Sequence, residues 1–311
     1  KKEMKLQLIA ESKNTFKEVA FEWYEKKKSK WSETHAQRKW HFLEKDVFPT
    51  VGNTRVQNSS VRELIALFEK IQARGAIDIA HRVKGICGEV FRYGVQTEKC
   101  DYDPTQSIKG VLKPKINKHM ASILEPNKIG ALLRAIDGYE GNIETKCALK
   151  LTPYLMLRPG ELRRAEWSEI DFENKLWKIP AEKMKKKRPH MIPLSTQAIA
   201  ILKIMQPLTG RWRYVFPSVR SKDRPLSNNT INAALRRMGY TSDEQTAHGF
   251  RSMASTLLHE QGFNTAHIEM ELAHAEKNQV KAAYNHAEYL SQRTEMMQWW
   301  ANYLDELRNI Y

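Results

Sequence analysis

Four side chains suited to handling a phosphate lie between His248 and Tyr284. His248 and Arg251 are three residues apart, so they share one face of the helix that this stretch predicts. His274 and Tyr284 follow after a helix break expected at Gly262. An arginine grips phosphate through its planar fork, and a tyrosine oxygen can act as a covalent nucleophile. These residue types suit chemistry at a phosphate group better than chemistry at any other substrate.

Two further cationic candidates lie upstream. Arg158 stands in the sequence LRPGEL, where Pro159 suits the first position of a helix. Because a helix N-terminus favours an anion, Arg158 is interpreted either as a phosphate ligand or as a surface arginine paired with Glu161. Lys185 lies between two β-like runs, LWKIP and HMIPL, which predict a hairpin. A lysine on such a turn can donate a proton to a leaving oxygen.

Other basic residues predict contacts with nucleic acid. The hairpin turn carries further cations that are either solvated or directed at DNA: Lys183, Lys186, Lys187 and Arg188. Three of these lysines are close enough in a flexible turn to replace Lys185 as the proton donor. A second basic stretch, which is either a plain tether or a path along a DNA backbone, contains Lys109, Lys113 and Lys115.

The same residues favour phosphoryl transfer without a metal ion. Arginine and histidine supply the positioning and charge stabilisation that the reaction needs, although a phenol with a pKa of about 10 requires cationic neighbours. The carboxylates that a two-metal nuclease would use are scattered: Glu161, Asp171, Asp223 and Asp243. The three cysteines form neither a disulfide pattern nor a ligand cluster, which fits a reducing cytoplasm. We therefore expect no cofactor and no metal site.

Composition describes a globular chain with a strongly positive field. Of 311 residues, 41% are hydrophobic and 28% charged, and the formal net charge is +15. The length predicts about two domains of roughly 150 residues each. The charge and the pI near 9.6 indicate a polyanionic partner, although basicity also serves solubility alone. No apolar run approaches the roughly 20 residues of a membrane span, and the chain, which starts at Lys1 without a methionine, is interpreted as a fragment.

Hydrophobic periodicity predicts a helical first domain over residues 1–104. Apolar residues recur there at three- and four-residue spacing, which indicates four helices. The second of these helices is expected to begin near Ser32 and to end at Pro49. Over residues 105–126 the periodicity is lost, and turn formers alternate with lysines. This stretch is interpreted as a basic interdomain linker.

The remaining residues, 127–311, predict a second domain that is mainly helical. The hairpin described above supplies a small β-sheet, and residues 213–216 are interpreted as a third strand or edge. An amphipathic helix follows Tyr284, with an apolar stripe running from Leu290 to Leu307. This stripe packs either on its own domain or on a neighbouring subunit.

Together these motifs resemble the tyrosine recombinase (phage integrase) family. The resemblance rests on LRPGELRRAEW, the hairpin lysines, HGFRSMAST, LAH and AAYN, and it covers essentially the whole chain. More narrowly, IPAEKMKKKRPHMIPLS and KAAYNHAEYL look like integrases of satellite phages and genomic islands. The resemblance implies an all-α core-binding domain followed by a mainly α catalytic domain with a small antiparallel β-sheet.

The resemblance also implies a role for each candidate residue. Arg158 and Arg251 would bind the non-bridging oxygens of the scissile phosphate. His248 would assist proton transfer and contact the phosphate, and His274 would hydrogen-bond the same group.

The remaining two candidates would make and break bonds. Tyr284 would attack the phosphorus and form a 3′-phosphotyrosyl link, so that neither ATP nor metal is required. Lys185 would protonate the 5′-hydroxyl leaving group. Tyr289 is a rival nucleophile, but its spacing from His274 fits the family worse.

The implied function is site-specific recombination that integrates or excises a mobile element. The implied partners are double-stranded DNA attachment sites, further copies of the chain in a homotetramer, and accessory DNA-bending or directionality proteins. The C-terminal helix would dock on a neighbour, and the N-terminal arm-binding domain common in such integrases is expected to be missing from this chain. The implied location is the nucleoid of a bacterial cytoplasm, without membrane association.

Two alternatives remain. A type IB topoisomerase uses a similar residue set as a monomer, and the helix after Tyr284 argues against it. A DNA-binding regulator with a decayed active site is disfavoured, because all six candidate positions carry functional residue types.

Overall fold

A computed structural model describes residues 14–115, 121–184, 187–274 and 289–310. The chain forms two compact units, residues 1–118 and 119–311, each with its own hydrophobic core. The prediction of a helical unit followed by a mainly helical unit with a small antiparallel sheet is confirmed. None of the described helices is both long enough and apolar enough to cross a bilayer.

The described part of the first unit contains five α-helices. They are α1 (Phe16–Lys27), α2 (Glu33–Phe42), α3 (Phe48–Val51), α4 (Val61–Ala73) and α5 (Ile77–Gln96). Shorter 3-10 turns occupy Lys28–Lys30, Val56–Asn58 and Pro104–Ile108. Thr15 and Ser60 begin α1 and α4 with capping boxes, in which the hydroxyl accepts from a backbone N–H three residues on. Aromatic side chains that are fully buried fill the core: Phe16, Trp23, Phe68 and Phe91.

Pro49 does not end the second helix, so that prediction was wrong. Helix α2 continues through a π-helical turn at Leu43–Val47 directly into α3. Pro49 is at the start of α3, where the first turn does not require its missing N–H. The helical run ends at Gly52 instead.

The stretch expected as a linker is largely packed against the units. Ile108 is fully buried and Leu112 nearly so in the core of the first unit. On the other side of the boundary, Ser122 Oγ donates to the Gly249 carbonyl at 2.8 Å, within the second unit. Residues 105–115 therefore belong with the first unit and residues 121–125 with the second, because apolar anchors outweigh the turn-forming composition.

The second unit surrounds a three-stranded sheet with helices. Its described helices are α6 (Pro126–Asp137), α7 (Ile143–Leu151), α8 (Pro159–Leu162), α9 (Thr196–Thr209), α10 (Thr230–Arg237), α11 (Gly249–Glu260), α12 (Thr265–Glu271) and α13 (Leu290–Ile310). Its 3-10 turns are Thr152–Tyr154, Trp167–Glu169 and Ala181–Lys183. Its strands, antiparallel in the order β1-β2-β3, are β1 (Ile170–Asp171), β2 (Leu176–Ile179) and β3 (His190–Pro193).

The hairpin is formed as predicted, and Ile179 pairs with His190 at the end next to the turn. The third strand is not residues 213–216, however. Tyr214 makes only an isolated bridge with Glu166, whereas β1 pairs with β2 across a tight turn in which Lys175 has a φ of 54°.

Helix α13 packs on its own unit. Trp300 and Leu304 are fully buried in the core, and the Trp300 indole N–H donates to the Pro153 carbonyl at 2.9 Å. The Tyr154 hydroxyl adds a hydrogen bond of 2.6 Å to Asp305. The expected docking of the stripe on a neighbouring subunit is therefore corrected: its apolar face is already covered within the chain.

Candidate active site

The HGFR sequence forms the start of helix α11. His248 is the N-cap, and Arg251 lies in the first turn, where only 4% of it is exposed. A Cβ at Gly249 would overlap the Ala121 carbonyl oxygen, so only glycine fits at this first position of α11. The Asn232 side chain on α10 accepts from the Ala247 N–H at 2.9 Å and holds the chain just before His248.

His274 is placed by the end of helix α12. The backbone N–H of His274 donates to the Glu269 carbonyl at 3.0 Å, and the backbone N–H of Ala273 donates to the Met270 carbonyl at 2.9 Å. This pair of bonds is a Schellman motif, and Ala273 occupies its left-handed position with a φ of 48°. The His274 Nδ1 lies 2.8 Å from Glu269 Oε2. Nδ1 is thereby committed to the carboxylate, which leaves Nε2 as the ring nitrogen able to meet a substrate.

Consecutive carbonyls at this helix end anchor both candidate arginines. Arg251 Nη2 donates to the Leu272 carbonyl at 2.9 Å, and Arg158 Nη2 reaches the Ala273 carbonyl at 3.5 Å. The other Arg251 amino group donates to the Met156 carbonyl. Arg158 also pairs with Glu161 at 2.8 Å, as the alternative from the sequence proposed. The ion pair orients Arg158 at the N-cap of α8, where Arg158 stays close to Arg251 and His248.

These groups are close enough to perturb one another. Burial, and then the charges of Arg251 and Arg158, lower the pKa of His248, and His274 adds to the effect. His248 is therefore biased toward its neutral form. Burial and the neighbouring Arg158 lower the pKa of Arg251 to about 10, which still leaves it charged at neutral pH. The structure thus brings Arg158, His248, Arg251 and His274 into one electrostatic neighbourhood.

The hairpin turn gives its basic residues different environments. Lys183 forms ion pairs with Glu166 and Glu169, and its side chain is only 18% exposed. This corrects the expectation that Lys183 contacts DNA, because carboxylates already hold its ammonium group. Lys187 and Arg188 are exposed, as a DNA contact requires. Lys185 and Lys186 lie outside the described residues.

Tyr284, the predicted nucleophile, also lies outside the described residues, which resume at Tyr289. The Tyr289 ring packs against His267, with the ring centroids 4.9 Å apart. The preference for Tyr284 over Tyr289 stays a prediction.

The three basic residues of the expected linker lie in the first unit. Lys109 and Lys113 are exposed, and Lys115 lies 3.5 Å from Asp78. The Lys113 carbonyl accepts from His81 at 2.8 Å, which ties this segment to α5. Their role in DNA binding stays a prediction.

Sequence reasoning missed several residues that surround the four groups. His190, taken only as a strand residue, is buried, and its Nε2 donates to the Glu271 carbonyl at 3.1 Å. Glu271 and Arg293 form a buried ion pair. Arg293 could have been noticed because it falls at helical spacing on the apolar stripe of α13. In the parts of the chain that the structure describes, no three His, Cys, Asp or Glu side chains gather as a metal site would need.

Comparison with known proteins assigns the family. Residues 16–111 match the phage integrase central domain, and residues 122–290 match the phage integrase family. The chain is 38% identical over 289 residues to prophage integrase IntA of Escherichia coli (strain K12), covering 93% of this chain and 70% of the relative. It is 37% identical over 312 residues to the integrase of Enterobacteria phage P4, covering 96% of this chain and 71% of the relative.

Solved structures agree on the fold. A lambda integrase tetramer bound to a Holliday junction superposes with a TM-score of 0.69 at 15% identity, covering 89% of this chain and 82% of that chain. A lambda integrase dimer bound to a COC′ core site gives a TM-score of 0.68 at 16% identity, covering 92% of this chain and 81% of that one. The two domain matches and the 38% identity to a prophage integrase lead to one conclusion: the chain belongs to the phage integrase family of tyrosine recombinases.

Proposed function

We propose that this chain cuts and rejoins double-stranded DNA at the attachment sites of a mobile element, so that the element is integrated or excised. The observation that carries the proposal is the row of carbonyls at Leu272 and Ala273, which anchors Arg251 and Arg158 side by side next to His274. Two guanidinium groups and an imidazole in one neighbourhood suit a phosphodiester that gains negative charge in its transition state. The integrase names of the relatives support the same activity.

The proposed reaction conserves the phosphodiester bond energy. The Tyr284 oxygen attacks the scissile phosphorus and loses its proton, and His248 assists this transfer. A neutral imidazole can accept a proton, and the lowered pKa of His248 favours that form. The bond from phosphorus to the 5′ oxygen breaks, and Lys185 gives a proton to this oxygen, which leaves as a 5′-hydroxyl. The result is a 3′-phosphotyrosyl link, which a 5′-hydroxyl of another strand reverses, so that neither ATP nor a metal ion takes part.

The proposed phosphate ligands differ in how they are held. Arg158 and Arg251 bind the non-bridging oxygens, and both are oriented before substrate arrives. Two carbonyls, those of Met156 and Leu272, hold Arg251, and Glu161 together with the Ala273 carbonyl holds Arg158. His274 hydrogen-bonds the same phosphate through Nε2, the ring nitrogen that Glu269 leaves available. The buried position of Arg251 strengthens its interaction with a phosphate relative to a solvated arginine.

DNA binding itself is proposed to rest on the net charge of +15 and on exposed cations. The predicted DNA contacts that the structure describes as exposed are Lys109, Lys113, Lys115, Lys187 and Arg188, and Lys186 is added from the sequence. We propose that the chain assembles as a homotetramer on DNA, as lambda integrase does on a Holliday junction, with accessory proteins that bend DNA or set direction. Its proposed location is the nucleoid of a bacterial cytoplasm.

Covalent trapping tests the proposed chemistry. The protein is incubated in EDTA with nicked duplexes made from the ends of the element, and a band that resists SDS is expected. The Tyr284→Phe variant should lose the band and still bind DNA, while Tyr289→Phe, the matched control, should retain it. A band that persists in Tyr284→Phe would refute the assignment of the nucleophile.

The same assay tests the leaving-group acid and the class of enzyme. Lys185→Ala should slow adduct formation more than Lys187→Ala, because only the former removes the proposed proton donor. Exchange of strands between two attachment sites is expected, whereas relaxation of a supercoiled plasmid by a monomer would indicate a topoisomerase. Absence of any adduct with DNA that is demonstrably bound would favour a regulator without catalytic activity.

A further inference from the structure

A buried ion pair joins helix α12 to the C-terminal helix α13. Arg293 Nε donates to Glu271 Oε2 at 2.7 Å, and the two side chains are 2% and 1% exposed. Neither residue is among those proposed to act on the phosphate. The second carboxyl oxygen, Glu271 Oε1, is also buried, and no hydrogen-bond partner for it lies within the described part of the chain.

Stability alone is a weak explanation for the buried Glu271–Arg293 ion pair. Moving two charges out of water costs more than their attraction returns unless every polar atom is satisfied, and apolar residues of similar volume often stabilise a protein equally well. With Glu271 Oε1 left without a described partner, that condition is not met. The pair therefore requires another explanation, and its contacts suggest that the explanation is geometric.

The contacts of the pair converge on the carbonyl row of the candidate site. Glu271 is the last residue of α12, and the carbonyls that follow it, those of Leu272 and Ala273, anchor the two arginines. The Glu271 carbonyl itself accepts from His190 on β3. Arg293 also donates to the Met191 carbonyl, the next residue of β3. One arginine thus ties the end of α12 to β3 and to the first turn of α13.

We propose that Glu271 and Arg293 form a positioning pair for the active-site arginines. By fixing the end of α12, the pair holds the carbonyls that orient Arg251 and Arg158, and strand cleavage depends on it although neither side chain touches the phosphate. This inference rests on the proposed function. A displacement of about 1 Å in a group that binds the reacting atoms can slow a reaction about a hundredfold.

The fork of Arg293 is essential to this role. Its Nε contacts Glu271 while an Nη contacts the Met191 carbonyl, so two anchors are held by one rigid plane. A lysine carries the same charge on a single flexible ammonium group and cannot reproduce that plane. Arg293→Lys is therefore expected to preserve the charge and lose the alignment.

The decisive variant replaces the pair with apolar residues. Glu271→Leu combined with Arg293→Met removes both charges together, so that no unpaired charge is left in the core and the chain should stay folded. Leu304→Ala is the control, because it disturbs α13 at a fully buried position about 16 Å along the helix from Arg293. Thermal unfolding, the Kd for a duplex attachment site, and the single-turnover rate of covalent adduct formation at saturating DNA are measured for each protein.

A second readout does not depend on activity. The pKa of His248 is lowered in part by Arg251 and Arg158, so its titration, followed by NMR, reports whether the two guanidinium groups have moved. In the apolar double variant we expect this pKa to rise toward the ordinary value, the adduct rate to fall about tenfold to a hundredfold, and the Kd to stay unchanged. In Leu304→Ala the titration of His248 should match that of the wild type.

The two proposals fail in different ways. If wild-type protein forms no adduct, the proposed function is refuted, and the His248 titration still decides whether the pair orients the arginines. If the double variant is folded and keeps both the wild-type rate and the wild-type His248 titration, the positioning role is overturned. A slowed rate in Arg293→Lys with an unchanged Kd would support the need for the fork.

Discussion

His190 should make the second unit sensitive to mild acid. The imidazole is buried, and its Nε2–H donates to the Glu271 carbonyl. Burial, and then the charge of Arg293, lower the pKa of His190 to about 4, against 6.5 for an ordinary histidine. Arg251 and Arg158 act in the same direction, and only the hydrogen bond to Glu271 opposes them.

The size of the effect follows from linkage. A histidine with a lowered folded pKa contributes its full stability above pH 6.5 and loses it as the pH falls toward 4, because the unfolded chain takes up a proton that the folded chain refuses. One pKa unit corresponds to about 1.4 kcal/mol, so the whole shift amounts to about 3 kcal/mol. About 2 kcal/mol of this is expected to be lost between pH 7 and pH 5.

Urea unfolding between pH 7.5 and pH 5 measures this loss. His190→Gln keeps a donor for the Glu271 carbonyl but cannot titrate, so its free energy of unfolding should fall by about 2 kcal/mol less than that of the wild type over this range. His259→Gln, at an exposed position on α11, is the control and should follow the wild type. Parallel curves for wild type and His190→Gln would refute the argument from burial.

Three further predictions concern elements around the site. Lys183→Ala should cost about 3 kcal/mol in urea unfolding, since Glu169 loses its cation at a largely buried position and Glu166 keeps only Arg213. Lys187→Ala should leave stability unchanged and reduce the log–log salt slope of DNA binding by about 0.9. Ala273→Gly should raise the melting temperature, because glycine adopts the left-handed backbone of this position without steric strain. The control, Ala200→Gly at an exposed position of α9, should lower the melting temperature and the free energy of unfolding, the latter by about 1 kcal/mol. Leu304→Ala should destabilise the chain by about 2–4 kcal/mol at any protein concentration; an effect that depended on concentration would mean that α13 packs on another copy.

Local sequence signals were enough for much of the fold. Gly262 has a φ of 79°, which explains why the break between α11 and α12 could be read from a single glycine. Ser60 caps α4 through its own side chain, and the hairpin runs were visible as alternating β-like segments. Each of these features depends on residues within a few positions of one another.

Contacts between distant residues were not visible in the same way. The sequence predicts a helix end at Pro49, because the effect of a proline depends on whether it lies in a helix interior or in a first turn. The π-helical turn before Pro49 places it in a first turn. Ile108 and Leu112 were assigned to a linker because no local pattern indicates that the first unit has room for them. In the sequence Lys183 does not differ from the other lysines of its turn. Its ion pair with Glu166 forms only in the folded chain.

In the candidate site, too, the side chains could be predicted from the sequence, whereas the long-range contacts that orient them could not. Residue type and spacing predict Arg158, His248, Arg251 and His274 as phosphate ligands, and the structure places these four groups near one another. The groups that orient them are mostly backbone carbonyls, and a carbonyl carries no signature in a sequence. The position of the Leu272 carbonyl depends on how α12 ends and on what holds it, which only the folded chain reveals.

The close contact between Gly249 and Ala121 limits where two recombinases can be joined to make a chimeric protein. Ser122 and Ile123 bind the Gly249 carbonyl and the Gln245 side chain, so the strip before α6 acts as a brace for the helix that carries Arg251. A chimera that borrows its first domain from another integrase should therefore cross over before Ala121. A crossover at Pro126, where the first regular helix begins, would leave the brace behind and deliver a catalytic unit whose central helix has lost its support.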